Sequence, residues 1–248
     1  MNNVLWTGGW DSTFRILDLV LIKGREVQPY YILDKGRKST PVELETMQKI
    51  KDMVGQFKPG ADKLIKDHIL IEKDKIPANT DISDMYNILS SEYHIGSQYD
   101  WLGRYVDSLG ISDLELGIHK EIVPSGFVKD LLENVQLVHD GNDSFYRLIN
   151  TPSKKELLIF KNYNFPLFEL TKSDMGRIAK ENNFQHIMEE TWFCFNPTKD
   201  RTPCGWCNPC RQTKREGLGR RVPDVPFSKV LYLKVRGILG RIKRLFIN

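Results

Sequence analysis

Residues 4–13 read VLWTGGWDST, and this stretch decides the fold that the sequence predicts. Its first three residues are apolar and favour a short buried strand, while Asp11, Ser12 and Thr13 suit the first turn of a helix. The two glycines between them let backbone N–H groups approach an anion, and a helix N-terminus adds unpaired N–H donors. Strand, glycines, hydroxyls and helix start together predict a phosphate-binding turn. The alternative is a tight glycine turn that binds nothing.

Two common nucleotide-binding motifs are excluded for this stretch. It contains neither G-x-x-x-x-G-K-[ST] nor G-x-G-x-x-G, so it is not a Walker loop or a dinucleotide fingerprint. The candidate nucleotide-binding residues of the turn are Trp6, Thr7, Gly8, Gly9, Trp10, Asp11, Ser12 and Thr13. Within this set, Asp11 and Ser12 are also the candidate catalytic residues.

The length and the charge of the chain limit the classes of protein to which it can belong. A chain of 248 residues can bury a sizeable core, as one α/β domain with an appendage or as two small domains. No apolar run reaches the roughly 18 residues of a membrane span, and the first residues lack signal-peptide features, so we expect no membrane span and a cytoplasmic location.

The positive charge is concentrated at one end of the chain. Residues 199–248 carry thirteen Lys/Arg and three Asp/Glu, a charge of +10, whereas the whole chain carries +4. This basic end predicts an anionic partner, or else a tail folded back on the acidic remainder.

Strand and helix patterns alternate after the first turn. Residues 27–33 and 68–71 read as strands, residues 41–54 as a helix, and a further helix after Ser97 precedes a strand that ends at Gly117. The alternation predicts an α/β fold, a doubly wound parallel sheet with helices on both faces. Residues 72–85 read as a connection, and residues 140–144 as a turn.

Two further side chains are candidates for the nucleotide site. Asp34 ends the second strand, where it would contact the adenosine part or a metal; an aspartate closing a turn is the alternative. Thr171 and Asp174 are spaced to begin a helix, which places Lys172 in its first turn, against the helix dipole. A phosphate within reach of Lys172 would explain the misplaced cation, and a tolerated surface lysine is the alternative.

The four cysteines of the chain form a cluster, namely Cys194, Cys204, Cys207 and Cys210. Four thiolates fit a closed, structural zinc site, since a tetrahedral ion would keep no open position for catalysis. An iron–sulfur cluster also accepts four cysteines. Disulfides are not expected without a secretory signal.

These motifs occur in a fixed order that resembles the 7-cyano-7-deazaguanine synthase family of the pyrophosphate-loop ATP pyrophosphatases, whose sheet is of the adenine-nucleotide hydrolase type. The turn TGGWDS resembles that superfamily's S-G-G-x-D-S, residues 191–194 (TWFC) resemble T-W-S-C, and residues 204–211 (CGWCNPCR) resemble C-G-x-C-x-x-C-R. Family members use ATP to activate the carboxylate of 7-carboxy-7-deazaguanine, which ammonia converts to an amide and then a nitrile. The resemblance covers about residues 1–217. It implies that residues 7–13 and Lys172 hold the ATP phosphates, that Mg²⁺ accompanies them, and that the cysteines bind zinc.

The sequence also departs from the family pattern. Residues 34–37 (DKGR) keep only Asp and Gly of D-Y-G-Q, and residues 119–122 (HKEI) replace G-Y-P-D-C. The resemblance therefore implies an ATP-dependent C–N ligase, part of a queuosine-biosynthesis-like chemistry, more firmly than it implies the acceptor or a nitrile product. A divergent paralogue would join the activated acid to another amine, on a protein or a nucleic acid. Further alternatives are an RNA-modifying enzyme of the same superfamily and a non-catalytic nucleotide sensor.

The predicted organisation has three parts. Residues 1–190 form the ATP-binding domain, residues 191–217 a zinc module, and residues 218–248 a basic extension. Apolar residues of 228–246 recur at helical spacing with basic residues opposite, which predicts an amphipathic basic helix. Such a helix would dock on its own domain or a homodimer mate, or meet a membrane surface, RNA or an acidic partner.

Overall fold

The computed structural model describes residues 1–120 and 126–225 of the chain. It divides into two compact units, Met1–Trp192 and Phe193–Asn248. The predicted helix of residues 228–246 lies outside the described residues, and the three-part division stays a prediction. Among the described residues, no helix combines the length and hydropathy that a bilayer crossing requires.

The first unit is built on a seven-stranded sheet of order β3-β2-β1-β4-β7-β6-β5. Its strands are β1 (Asn2–Leu5), β2 (Val27–Leu33), β3 (Ile69–Glu72), β4 (Leu114–Glu115), β5 (Val135–Asp140), β6 (Asp143–Leu148) and β7 (Tyr163–Phe165). Strands β3, β2, β1, β4 and β7 pair in parallel, which confirms the predicted α/β class. The order reverses direction between β1 and β4, so loops after these two strands open a crevice at the carboxyl edge.

Helices connect and cover the strands. They are α1 (Trp10–Leu17, continued by a π-helical turn Asp18–Ile22), α2 (Thr40–Phe57), α3 (Thr80–Glu92), α4 (Gln98–Leu109), α5 (Gly126–Leu132), α6 (Lys172–Glu181) and α7 (Gln185–Met188). Short 3₁₀ turns lie at Ala61–Leu64, Lys73–Lys75 and Lys155–Phe160.

Alternating side chains of β2 show that helices cover both faces of the sheet. Tyr30 and Ile32 belong to one apolar cluster with residues of α3, α4 and α5. Tyr31, between them, is buried and donates a hydrogen bond of 2.8 Å to Glu43 of α2. Because successive residues of a strand point to opposite faces, the sheet is wound on both sides, as predicted.

Two parts of the first unit differ from the sequence prediction. Strands β5 and β6 form an antiparallel hairpin, and β6 pairs antiparallel with β7, so the sheet is mixed at this edge rather than wholly parallel. The turn predicted at residues 140–144 joins the hairpin, with Gly141 at a φ of +60°. The predicted connection of residues 72–85 is wrong from residue 80, where α3 begins with Asn79 accepting a hydrogen bond from the Ile82 N–H.

The second unit is described from Phe193 to Val225. It contains the short helix α8 (Asn208–Thr213), a π-helical turn Lys214–Leu218 and a 3₁₀ turn Gly219–Arg221. Gly205 has a φ of +80°, and a Cβ built there would lie 2.7 Å from the Pro223 carbonyl oxygen. Only glycine fits this position, because both its backbone angle and its space exclude a side chain.

Candidate active site and metal centre

The predicted phosphate-binding turn joins β1 to α1 and is held by tight backbone contacts. Gly8 has a φ of +70°, and a Cβ there would lie 3.2 Å from the Glu43 carbonyl oxygen and 3.3 Å from Cγ of Met47. The Gly8 carbonyl accepts a hydrogen bond of 2.8 Å from the Trp192 N–H. The turn is therefore fixed against α2 and the end of the first unit, and glycine is required at its centre.

Two hydroxyl side chains close the turn on its inner side. The Thr7 N–H donates to Ser12 Oγ at 3.2 Å, and the two hydroxyl oxygens lie 3.3 Å apart. Gly9 caps α1, and no side chain caps the helix there. The first turn of α1 therefore presents backbone donors and hydroxyls together, a combination that suits an anion.

Three residues of the predicted set support the turn from the protein interior. Trp6 is fully buried and donates its indole N–H to Thr13 Oγ1 at 2.9 Å. Trp10 is buried, and a Cβ on Gly176 of α6 would lie 3.6 Å from its ring. None of these three lines the cavity described next, so their placement fits a supporting role.

A cavity of about 210 Å³ opens beside the turn, at the crevice between β1 and β4. The turn contributes Thr7, Gly9, Asp11 and Ser12 to its polar end. Gly117, just beyond β4, also lines the cavity and packs against the turn, since a Cβ there would lie 3.5 Å from Cβ of Asp11. Apolar and aromatic side chains, Trp101 among them, line most of the rest, together with Arg37 and Gln98. A polar end next to an apolar wall suits a phosphorylated nucleoside.

Asp11 lies between two side chains from other elements. Its Oδ2 is 3.6 Å from Nζ of Lys172, and its Oδ1 is 3.6 Å from Nδ1 of His119. Lys172 occupies the first turn of α6, whose predicted N-cap at Thr171 is confirmed: Thr171 and Asp174 exchange both hydrogen bonds of a capping box. The Thr171 hydroxyl holds the pKa of Asp174 below its usual range. The structure thus brings Asp11, Ser12 and Lys172 to one place.

Asp34 lies apart from these residues. Its Oδ2 is 3.0 Å from Nζ of Lys73, and its Oδ1 accepts a hydrogen bond of 3.0 Å from the Gly36 N–H. The Lys73 ammonium holds the pKa of Asp34 below its usual range. Asp34 does not line the cavity. Its contacts match the alternative interpretation, an aspartate that closes a turn.

Sequence reasoning missed two side chains at the site, Arg37 and His119. Arg37 lines the cavity and reaches Glu43 Oε1 at 2.9 Å. Each follows the carboxyl end of a parallel strand by four positions, where ligands of α/β sheets bind. This position after a predicted parallel strand was the sequence signal that could have identified both side chains.

A second cavity, of about 280 Å³, adjoins the first. Both cavities are lined by Asp11, Gln98, Tyr99, Gly117 and Ile118. The second adds His94 and His119, together with the apolar side chains of Phe127 and Val128. Two adjoining cavities that share one carboxylate can hold two reactants with their reacting ends together.

The four cysteines of the second unit converge on one point. Their sulfur atoms lie within 4.8 Å of one another, with separations of 3.8 Å for Cys194–Cys207, 3.8 Å for Cys204–Cys210 and 3.4 Å for Cys207–Cys210. Four sulfurs at about 2.3 Å from a tetrahedral zinc ion would lie roughly 3.8 Å apart. The cysteines can therefore hold a metal ion such as zinc.

Burial opposes the charged form of these thiols. It raises the pKa of Cys194 to about 12 and also raises that of Cys210. The Cys204 N–H, which donates to Cys194 Sγ at 3.2 Å, stabilises negative charge on that sulfur. A bound cation would stabilise the negative charge of the thiolates that burial disfavours. Metal binding and the release of protons from the thiols are therefore coupled at this site.

Comparison with known proteins points to one family. Residues 139–219 match the family model described as QueC, queuosine biosynthesis protein QueC. The matched segment runs from β5 through α8 and includes Lys172 and all four cysteines, whereas the turn of residues 6–13 lies outside it. No curated protein matches the chain.

The fold and the cysteine cluster agree with the class that the matched segment suggests. The match indicates an enzyme of the ATP pyrophosphatase type, with an ATP-dependent activity of the kind found in queuosine biosynthesis. Within that class, it supports a QueC-like family for this chain, and a divergent member of the family is compatible with it.

Proposed function

We propose that the chain uses ATP to adenylate a carboxylic acid and then joins the activated acid to an amine. The acid is 7-carboxy-7-deazaguanine or a related carboxylate, and the amine is ammonia or a larger donor. The observation that carries the proposal is the pair of adjoining cavities at Asp11, one of them lined by the glycine turn.

In the first step, a carboxylate oxygen of the acid attacks the α-phosphate of ATP, and pyrophosphate leaves. In this step the backbone N–H groups of the turn, the Ser12 hydroxyl and Lys172 bind the departing pyrophosphate; Lys172 Nζ lies 3.6 Å from Oδ2 of Asp11, the residue before Ser12, which supports their acting together. Donors fixed before the reaction stabilise charge that develops in the transition state. In the second step, the amine displaces AMP from the acyl-adenylate and gives an amide. A nitrile requires a second ATP: the amide oxygen attacks its α-phosphate and pyrophosphate leaves, and loss of AMP and a proton from the adenylated amide then forms the nitrile.

Magnesium, which we expect with ATP, does not find a dedicated set of protein ligands among the described residues. Asp11 is the carboxylate at the turn, and it faces Lys172 and His119. Magnesium carried by the phosphates would neutralise part of their charge. The cysteine site fits zinc in a structural role, because four thiolates leave no position for a substrate.

The proposal is tested by incubating the protein with ATP, Mg²⁺ and 7-carboxy-7-deazaguanine, with and without ammonium, followed by mass spectrometry. We expect AMP and pyrophosphate together with an amide or nitrile product. An adduct on the protein itself, or a requirement for RNA, would instead identify a macromolecular acceptor. AMP formation should be abolished in Ser12→Ala, with the fold intact by circular dichroism, and unchanged turnover in that variant would count against the role of the turn.

A further inference from the structure

Trp101 brings an aromatic ring to the cavity beside the glycine turn. It lies in the first turn of α4, is half-buried, and packs against the apolar cluster of the first unit. It lines the first cavity, the one to which the turn contributes Thr7, Gly9 and Ser12, and it does not line the second. A flat ring in this cavity is within reach of the base of a nucleotide whose phosphates lie at the turn.

Tyr99 also lines the first cavity, but its surroundings differ from those of Trp101. Its ring packs against Phe127 and Phe160, with centroid separations of 5.7 and 5.4 Å. It also lines the second cavity, together with Phe127. Tyr99 therefore borders the places of both reactants in the proposed reaction, whereas Trp101 borders only the cavity at the turn.

A lysine outside the cavity holds the indole ring of Trp101. Nζ of Lys73 lies 5.5 Å from the centroid of the ring, a cation–π distance, and Lys73 does not line the cavity. Lys73 in turn donates a hydrogen bond of 3.0 Å to Oδ2 of Asp34. The other carboxylate oxygen of Asp34 is fixed by the Gly36 N–H at 3.0 Å. The ring is therefore oriented before a nucleotide binds, which lowers the entropic cost of binding.

We propose that Trp101 stacks on the purine base of the nucleotide, and that Lys73 and Asp34 are positioning residues that act through the indole ring. This inference rests on the proposed function, from which it takes ATP as the nucleotide. Stacking on an aromatic ring is tolerant of base identity, since every base has a π face, so Trp101 contributes affinity more than discrimination among purines. Asp34 then serves the adenosine part of ATP indirectly, through Lys73.

The test compares the binding of ATP with the binding of inorganic pyrophosphate, by titration calorimetry with Mg²⁺ and without the acid. Pyrophosphate has no base, so its Kd reports whether the phosphate site is intact. We expect Trp101→Leu to raise the Kd of ATP about 10-fold, a typical effect of losing one base–aromatic stack, and to leave the Kd of pyrophosphate within about twofold. Trp101→Phe keeps an aromatic face and should raise the Kd of ATP by less than about threefold. Lys73→Met and Asp34→Asn should each raise it about threefold, again without an effect on pyrophosphate.

The matched control is Lys75→Met. Lys75 lies in the same 3₁₀ turn as Lys73, is 69% exposed and reaches Glu72 at 3.5 Å, so the variant should bind ATP as the wild type does. Unchanged ATP binding in Trp101→Leu would overturn the stacking role, and unchanged binding in both Lys73→Met and Asp34→Asn would overturn the positioning role. An equal loss of ATP and pyrophosphate binding in Trp101→Leu would assign the ring to the fold instead. Absence of ATP binding by the wild type would overturn the proposed function and this inference with it.

Discussion

At the scale of the residue, two glycines have nearly the same left-handed φ angle but different surroundings. Gly8 and Gly24 have φ values of +70° and +66°. A Cβ at Gly8 would meet three atoms at 3.2–3.4 Å, whereas a Cβ at Gly24 would meet nothing within 4 Å. The pair therefore separates the cost of a left-handed backbone from the cost of crowding.

We expect Gly24→Ala to lower the free energy of unfolding by about 1 kcal/mol, the cost of a left-handed L-residue. Gly8→Ala should lower it further, because Glu43 and Met47 must move, and should reduce pyrophosphate release at least about 10-fold through the displaced turn. Denaturant unfolding and a pyrophosphate assay measure the two effects. Equal activities in the two variants would show that the turn tolerates a side chain.

Lys172 allows a comparison within one helix. It lies in the first turn of α6, where its charge opposes the helix dipole, and Lys180 lies in the last turn, where the dipole favours it. We expect Lys172→Met to reduce pyrophosphate release at least about 10-fold without loss of stability, because in the proposed function the lysine binds the phosphates and its charge does not favour the helix. Lys180→Met is the matched control and should retain full activity. A loss of stability without a loss of activity in Lys172→Met would assign the lysine to the fold.

Whether the role of a residue could be predicted depended on how far apart in the sequence its contacts lie. The turn glycines and the cysteines could be predicted, because closely spaced residues carry their chemistry. His119 could not, since its contact with Asp11 depends on the pairing of β1 with β4. That pairing is non-local, so the position of His119 after a predicted parallel strand indicated only the edge of the sheet and not the contact itself.

At the scale of the element, a buried ionic network joins α1 to the sheet. Arg15 of α1 donates to Glu115 of β4 at 2.6 and 2.8 Å, and to Asp143 of β6 at 3.0 Å and by a second, shorter bond. All three residues are at most 4% exposed. The network fixes the helix that begins at the glycine turn, and a buried charge requires such pairing.

We expect Asp143→Ala to lower the free energy of unfolding by about 3–5 kcal/mol, because part of the Arg15 charge is left buried without its partner. Burial raises the pKa of Asp143, but Arg15 and Lys23 hold it below its usual range overall. The ionised form therefore stabilises the fold at neutral pH, and this contribution is lost as pH falls below about 4. Denaturant titrations at several pH values measure both effects.

The control for this network is an exposed pair. Glu72 and Lys35 lie 2.8 Å apart, with Lys35 68% exposed. Glu72→Ala should change the free energy of unfolding by less than about 1 kcal/mol, as exposed pairs contribute little. If Asp143→Ala proved equally mild, the buried network would not hold α1 in place.

Elements with a strong apolar stripe or cap could be predicted, and those without one could not. Strand β2 was predicted with its observed bounds, and the predicted N-cap Thr171 of α6 was confirmed. Helix α3 was missed because it buries only Ile82 and Leu89, too narrow a stripe to show a period. Strand β5 was missed because it lies at the sheet edge with no fully buried residue.

At the scale of the whole molecule, the second unit has a small apolar interior in its described part. Its buried apolar side chains and cysteines are Cys194, Cys207, Cys210, Leu218 and Val222. Small units with so little core usually need a metal or disulfides. The sulfur–sulfur separations of 3.4 to 3.8 Å described above are too long for a disulfide bond.

We therefore expect one zinc ion per chain in the purified protein, and loss of that zinc in Cys204→Ser. Because burial raises the pKa of Cys194 and Cys210, protons compete with the metal, and zinc should be released as pH falls. Metal analysis and limited proteolysis of residues 193–225 measure the loss. Thr198→Ala, a change in the same unit away from the sulfurs, should keep its zinc, and iron in the wild type would contradict the assignment.

The charge asymmetry and the basic end could be predicted from composition, but their role could not. The family match ends at residue 219, so the basic residues beyond it have no counterpart in the match. An anionic partner for this end, and a homodimer, stay predictions.

The reversal of strand order between β1 and β4 has a consequence for synthesis on the ribosome. Asn2 contacts Glu115, which lies 113 positions further along the chain. Asp11 is made roughly 160 residues before Lys172, the lysine that contacts it. At the usual rates of translation, the turn waits roughly 10 to 30 s for that lysine. During this interval the nascent chain exposes β1 without its neighbour β4. We therefore expect a chaperone to bind strand β1 while the chain is being made.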